Sequence, residues 1–249
     1  MADSPALVEI PLFPLGTVLF PEGPLPLRIF EARYIDLVRR SLRESTGFGV
    51  VLIIDGAEAG GGPAETCNVG TYARIVDFSG EPGGLLGIEA RGERRFRIHA
   101  RRREKNGLNV ADVEWLAESP AVPLPEEFSD LGPALDSVLD QVGEPYSTLE
   151  RKLDDAAWVG GRLAEILPLS PAHKQHCLEL DDPIARLQFL RPLFEITSEP
   201  PDGSDPLDED LDPDGDDTMD EDDEDSDDVT DDDDDDDLPE DSDDDPTRS

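Results

Sequence analysis

From Ile10 to Tyr34 the chain reads IPLFPLGTVLFPEGPLPLRIFEARY, apolar enough for a core yet interrupted by Pro11, Pro14, Pro21, Pro24 and Pro26. Proline fixes φ and removes a backbone donor, so no helix runs through this stretch before about Phe30. The pattern predicts extended chain. Pro11 and Pro14 suit the start or the edge of a sheet, and Leu15–Phe20 is the part expected to pair fully. From about Glu31 to Arg43, Tyr34, Leu37, Val38 and Leu42 recur at helical spacing, with Arg33, Asp36, Arg39, Arg40 and Arg43 facing outward.

Phe48–Ile54 is a short, nearly continuous apolar run with β-branched enrichment, which predicts a buried strand. The loop 55–63 has no pattern of its own. Val69–Phe78 alternates as a strand, and the turn over 80–84 returns the chain to a strand over Leu85–Ala90. Arg95–Arg102 alternates again, placing Phe96, Ile98 and Ala100 on one face and Arg95, Arg97, His99 and Arg101 on the other. Asn106-Gly107 is a hairpin turn signal, because both positions tolerate positive φ, and Leu108–Leu116 is the return strand.

Ser119–Pro125, with its three prolines, reads as a stiff, extended linker. Helical spacing follows. Leu131, Leu135, Val138, Leu139 and Val142 predict a helix over Glu126–Val142, stopped by Gly143 and Pro145. Further helices are expected over about Thr148–Val159 and Gly161–Leu167. Ser170 with Pro171, an N-cap followed by proline at the first helical position, opens one through about Leu178. Asp181-Asp182-Pro183 starts the last in the same way, carrying Ile184, Leu187, Leu190 and Phe194. The fold class is therefore α+β, with a β-rich part over 1–118, a linker over 119–125 and a helical part over 126–197.

Charge adds a fourth region. The 249 residues carry a formal net charge of −40, but 30 of the 61 acidic residues and one of the 21 basic residues lie in 198–249. With Asp231–Asp237 unbroken and no aromatic residue, this tail cannot bury enough apolar area to offset chain entropy and is expected to be disordered. Cys67 and Cys177 are too far apart for a paired-ligand motif, which points to reduced thiols and a cytoplasmic location. No stretch approaches the roughly 18 apolar residues needed to cross a bilayer, and residues 1–9 do not resemble a signal peptide.

Ile10–Leu15, Leu19–Gly23, Leu25–Glu31, Arg33-Tyr34, Gly47–Leu52, Gly70–Ile75, Gly92–Ile98 and Leu180–Pro183 together resemble the amino-terminal domain of Lon proteases, which also occurs as a stand-alone protein. The resemblance covers about residues 8–195. It implies a PUA-like pseudo-barrel with one helix beside a helical bundle, and a role in recognising unfolded polypeptides or protein partners. Lon owes its activity to an ATPase and a serine-lysine peptidase module, for which this chain has no motif. Gly60-Gly61-Gly62 runs into Pro63, not into the lysine and helix of a phosphate-binding loop. No catalysis and no cofactor are therefore expected.

Several constellations compete with that reading. Ser170 and His173 could pair as nucleophile and base, but the serine is better explained as a helix cap. His173, His176 and Cys177 share a helical face near Asp181, yet one helix cannot close a zinc tetrahedron, and no metal is expected. Asp210-x-Asp212-x-Asp214-Gly215 with Glu221 satisfies a calcium-loop pattern, but in an aspartate-rich segment with Pro213 inside it the pattern carries little weight. Converging His99, Asp77 and Glu89 would instead mark a hydrolase. Arg91–Lys105 holds eight basic residues against Glu93 and Glu104. It reads first as a solvated strand face, next as a landing strip for the acidic tail, and last as an RNA-binding surface of a PUA-like barrel regulated by that tail. The net charge and the lack of interleaved aromatics make nucleic acid the weakest of these. The residues expected to meet a polypeptide partner are Phe13, Leu15, Phe20, Arg28, Phe30, Tyr34, Arg95 and Arg97, where the β part meets the helices beside the 55–63 loop.

Overall fold

The computed structural model describes residues 6–58, 64–80, 86–119 and 121–198. Seven strands run as β1 (Val8–Leu15), β2 (Pro24–Ile29), β3 (Phe48–Asp55), β4 (Glu65–Thr66), β5 (Val69–Gly80), β6 (Leu86–Arg103) and β7 (Asn109–Trp115). Helix α1 (Ala32–Glu44) follows β2, and α2 (Leu131–Val142), α3 (Ala156–Ile166), α4 (Pro171–Glu179) and α5 (Pro183–Ser198) follow β7. Contacts group residues 1–202 into one unit and 203–249 into another. The second unit lies outside the described residues, as do the tail and its calcium-loop pattern.

Strands pair in the order β1-β7-β6-β5-β3, and β3 pairs back to β1, so the ring closes; β2 adds to β6 and β4 to β3. Closure dictates how the prolines are used. The strand starts at Val8, and the expected pairing of Leu15–Phe20 does not occur: beyond Leu15 the chain leaves the ladder, although Val18, Leu19 and Phe20 are buried. Pro11 pairs only toward Val110 of β7 and Pro14 only toward Val51 of β3. Each proline falls where one flank alone is paired, so its missing N–H costs no bond on the other. Pro24 and Pro26 lie on β2, an edge strand that pairs with β6 alone.

The strands expected over 85–90 and 95–102 are one strand, β6. Its first half pairs with β2 and its second with β7, and the register against β5 slips between Thr71 and Ala73, opposite Gly92–Arg95. Arg95 keeps the expected face opposite Phe96, but the chain that leaves α4 covers that face and leaves it 4% exposed, and a slip against β7 at Ile98/Ala100 turns Ala100 out to solvent. The barrel interior is Ile10, Leu12, Val51, Phe96, Ile98, Ala111 and Val113. Helix α1 covers the opposite face of β1 and β3 with Tyr34, Leu37 and Val38, but Ser41 is buried in place of the expected Leu42, which is 42% exposed.

Among the helices, α4 and α5 start as expected, and the Ser170 hydroxyl accepts from His173 N at 3.2 Å. The helix expected from Glu126 begins as a short 3₁₀ turn and becomes regular only at Leu131. The two helices expected on either side of Gly160-Gly161 are a single helix, α3, starting eight residues later than expected at Ala156. Asp155 sets that start by accepting from Ala157 N at 2.8 Å. The glycines do not break it because Gly160 packs against Arg186 and Leu187 of α5, where a larger side chain would crowd. Leu124 N donates to Asp154 O at 2.7 Å and Ala156 N to Val122 O at 2.9 Å, tying the extended segment after β7 to the start of α3.

One ion pair connects this helical layer to the barrel. Arg162 and Glu165, three apart on α3, have side chains 1% and 7% exposed and meet at 2.8 Å. Arg162 Nη2 also donates to Pro21 O at 2.8 Å, and Glu165 Oε1 accepts from Phe20 N at 3.3 Å. The pair therefore grips the turn between β1 and β2. From the barrel side, Glu22 N donates to Gly92 O at 2.8 Å, Gly92 N to Gly23 O at 2.9 Å, and the Thr71 hydroxyl to Leu19 O at 2.6 Å. Gly23 and Gly92 are required by this approach: a Cβ would lie 1.9 Å from Glu165 Oε1 at the first and 2.2 Å from Phe20 O at the second. Burial pushes the Glu165 carboxyl up to about 7, while the Arg162 guanidinium pulls it down.

Two outcomes follow from the clamp. Arg162→Met leaves a buried carboxyl without its partner and should cost about 3–5 kcal/mol by urea unfolding, while the apolar double variant Arg162→Met/Glu165→Leu should recover much of that loss. Equal losses in both variants would show that the pair itself contributes the stability. The second outcome concerns pH. A carboxyl whose folded-state pKa is raised from 4.5 to about 7 holds a proton that the unfolded chain releases, so its contribution to stability is lost as pH rises through that window. Unfolding free energies measured between about pH 5 and pH 8 should therefore fall more steeply for the native chain than for Glu165→Gln. Parallel curves would contradict the assignment.

Candidate functional site

The clamped turn forms one wall of a cleft of about 330 Å³. Phe20, Pro21 and Glu22 line it from the turn, Arg94 and Arg95 from β6, and Ala117–Ser119 with Ala121 from the segment after β7. The opposite wall is Lys152, Asp155, Ala157, Trp158 and Gly161 at the start of α3, with Arg186 from α5. Phe20, Ala157 and Trp158 make part of the lining apolar, and the charged groups are held in place. Lys152 Nζ donates to Glu22 Oε2 at 2.7 Å, and the Arg94 guanidinium stacks over the Trp115 ring with its carbon 3.6 Å from the centroid.

Two guanidiniums are buried beside the cleft, Arg95 and Arg186, each 4% exposed. Both are anchored on the chain that leaves α4. Arg95 Nη1 donates to Leu178 O at 2.9 Å and Leu180 O at 3.4 Å, and its Nη2 to Ala117 O at 3.3 Å and Asp181 Oδ1 at 2.8 Å. Arg186 Nε donates to Cys177 O at 2.8 Å and its Nη2 to Leu180 O at 2.6 Å. The carbonyl end of a helix carries partial negative charge, which suits both cations. Burial draws Arg186 down to about 10, and the neighbouring Arg95 adds to the effect. The only carboxylate within ion-pair distance of either, among the described residues, is Asp181, whose side chain is 81% exposed.

The residues expected to meet a partner are scattered. Phe13 stacks on Tyr34 with centroids 4.0 Å apart and lies 5.6 Å from Phe48; with Leu15 these are core side chains under α1. Phe20 is 1% exposed but forms part of the cleft wall, and Arg95 joins it there. Phe30 is 60% exposed, and Arg28 and Arg97 are also exposed, none of them at the cleft. Of the 55–63 loop, residues 59–63 lie outside the described residues, and Glu58 bonds to Gly16 N without lining the cleft.

Rival constellations separate in the fold. His99 Nε2 lies 3.0 Å from Glu114 across β6 and β7, whereas Asp77 and Glu89 pair on β5 and β6 beside a broader groove of about 480 Å³ over β2, β5 and β6. His173 and His176 lie edge-on to Phe189 at 5.7 and 4.8 Å, while Cys177 is buried with its thiol pushed up to about 11 by burial. Among the described residues no cluster of three or more His, Cys, Asp or Glu side chains could hold a metal ion. The basic strand is largely tied to its neighbours: Arg102 to Glu9, and Arg101 to the carbonyls of Thr66 and Cys67. No helix among the described residues is long and apolar enough to cross a membrane.

Arg162, Glu165, Trp158 and Arg186 are the cleft and clamp residues that sequence reasoning missed. A usable signal exists for the first two. In Ala156–Ile166, AAWVGGRLAEI, an Arg and a Glu three apart are the only charges in an otherwise apolar helix, a pattern that fits burial as a pair. Arg186 has no such signal.

The profile of the family described as the ATP-dependent protease La (LON) substrate-binding domain matches residues 9–194. A crystal structure of a Lon N-terminal domain protein from Xanthomonas campestris is 40% identical with a TM-score of 0.62, covering 74% of this chain and 98% of that one. The N-terminal domain of the Mycobacterium avium complex Lon protease has the same fold at 20% identity and a TM-score of 0.53, over 76% of this chain and 98% of that chain. The Lon protease of Escherichia coli K12 is 26% identical over 200 residues, 76% of this chain and 25% of its own length, so this chain spans a quarter of that relative. With the match running from β1 into α5, and so through both the barrel and the helices that enclose the cleft, the chain belongs to the LON substrate-binding domain family.

Proposed function

We propose that this chain is a non-catalytic recognition module, working in the cytoplasm, that takes exposed apolar segments of unfolded polypeptides into the cleft between the barrel and helices α3 and α5. The carrying observation is the cleft itself, in a family named for substrate binding: Phe20 and Trp158 give its lining apolar surface beside arginines anchored on backbone carbonyls. A concave, partly apolar site with a few fixed polar groups suits a polypeptide segment better than a flat polyanion. The acidic tail serves in this reading as a repulsive, solubilising brush.

The hydrolase reading loses its support with His99 bonded to Glu114, away from Asp77 and Glu89. Nucleic acid is disfavoured on the basic strand, where Arg102 is paired with Glu9 and Asp112 and Arg101 is bonded to backbone carbonyls.

The protein's two tryptophans give a direct test, since Trp158 lines the cleft and Trp115 carries Arg94 at its rim. Titrating the full chain with a permanently unfolded, alkylated protein should change tryptophan emission saturably, with affinity in the micromolar range. The native form of the same protein should produce no change. Equal responses to both forms, or a response only to an RNA homopolymer, would overturn the proposal.

A further inference from the structure

The two arginines beside the cleft have an uneven charge balance. Arg95 and Arg186 are each 4% exposed, and Arg95 lies close enough to disfavour the charge on Arg186; Asp181 pairs with Arg95, whereas among the described residues Arg186 has no carboxylate within ion-pair distance and feels Asp181 and Asp182 only from farther away. Their remaining acceptors are neutral carbonyls. The bonds of Arg186 leave from Nε and Nη2, on a side chain that lines the cleft. A buried guanidinium that lines a cleft and has no ion-pair partner among the described residues is a carboxylate-binding arrangement.

What surrounds it narrows the ligand. Phe20, Ala157 and Trp158 stand on the walls of the same cleft, whose volume of about 330 Å³ holds one or two residues of a bound chain. Glu22, Glu93, Glu118 and Asp155 also line it, which disfavours a polyanion such as the aspartate run 231–237. A single negative charge next to a large apolar side chain, within one residue, is what the last residue of an apolar-ended polypeptide presents. An internal aspartate or glutamate carries the charge without the apolar body.

We infer that the cleft captures the carboxy terminus of polypeptides ending in a large apolar residue, with Arg186 receiving the terminal carboxylate and Phe20 and Trp158 the side chain. This rests on the polypeptide-recognition reading and specifies its ligand.

The test uses the full chain and fluorescein-labelled heptapeptides. One ends in phenylalanine as the free acid, a second is the same peptide amidated, and a third is the amidated peptide with an internal aspartate. The free acid should bind at least about tenfold more tightly than either amide in fluorescence anisotropy, because the charge-assisted bonds are lost in both. Arg186 is buried and its replacement risks the fold, so the cleft is blocked instead at Gly161, where an added Cβ meets no atom within 4 Å. Gly161→Leu should leave the unfolding midpoint unchanged or raised, since a helical glycine is replaced, and should abolish binding of the free acid. Acid and amide binding alike, the aspartate peptide matching the acid, or Gly161→Leu binding normally would each overturn the inference. If the unfolded protein still binds in those cases, the general reading survives; if nothing binds, both fail.

Discussion

The buried pair of Arg162 and Glu165 is the interaction on which the arrangement of this fold depends. A helix and a barrel turn have no covalent reason to meet across about 140 residues, and apolar burial alone does not choose their register. The pair does, because each member finds its remaining partner in the Phe20–Pro21 backbone. Its geometry admits no side chain at Gly23 and brings Gly92 against Phe20 O, so the bend in β6 is part of the same contact. Buried charges are costly when unpaired, which makes misdocked arrangements of this layer unfavourable.

From that contact the cleft follows. Docking the turn puts Phe20 and Pro21 opposite Trp158 and Gly161, and the bend at Gly92 delivers Arg94 and Arg95 to the floor between them. Arg95 then reaches across the layers to the carbonyls that end α4, where Arg186 arrives from α5. Two cations from distant parts of the chain converge on one helix terminus, whose carbonyls hold them in place.

Prolines have a related role on the other side of the barrel. In a closed sheet a residue without an N–H can sit only where a flank is unpaired, and the ring provides this as β1 transfers from β7 to β3. The chain then leaves the ladder after Leu15, which frees Val18 and Phe20 to bury outward into the helical layer. A fully paired Leu15–Phe20 strand would have held those side chains on the barrel and left the clamp nothing to grip.

What the sequence determined by itself was local. Strand and helix periods identified α1, β3, β5, β7, α4 and α5, the Ser170 cap and the α+β class, because each rests on neighbours a few residues away. Motifs over the same residues carried the family. Tertiary structure decided the rest. The slip at Ala100 is set by closing the ring, so a period of two assigned that side chain to the wrong face, while Arg95 lies on its expected face but beneath the chain that leaves α4. Gly160-Gly161, a break by propensity, is spanned by α3 because α5 packs against it. Phe13, Leu15 and Tyr34, expected from the sequence to meet a partner, are core side chains under α1. The site belongs to this second class: Arg95 and Arg186 acquire a shared meaning only where β6 and α5 meet at the end of α4, a proximity that chain order does not encode.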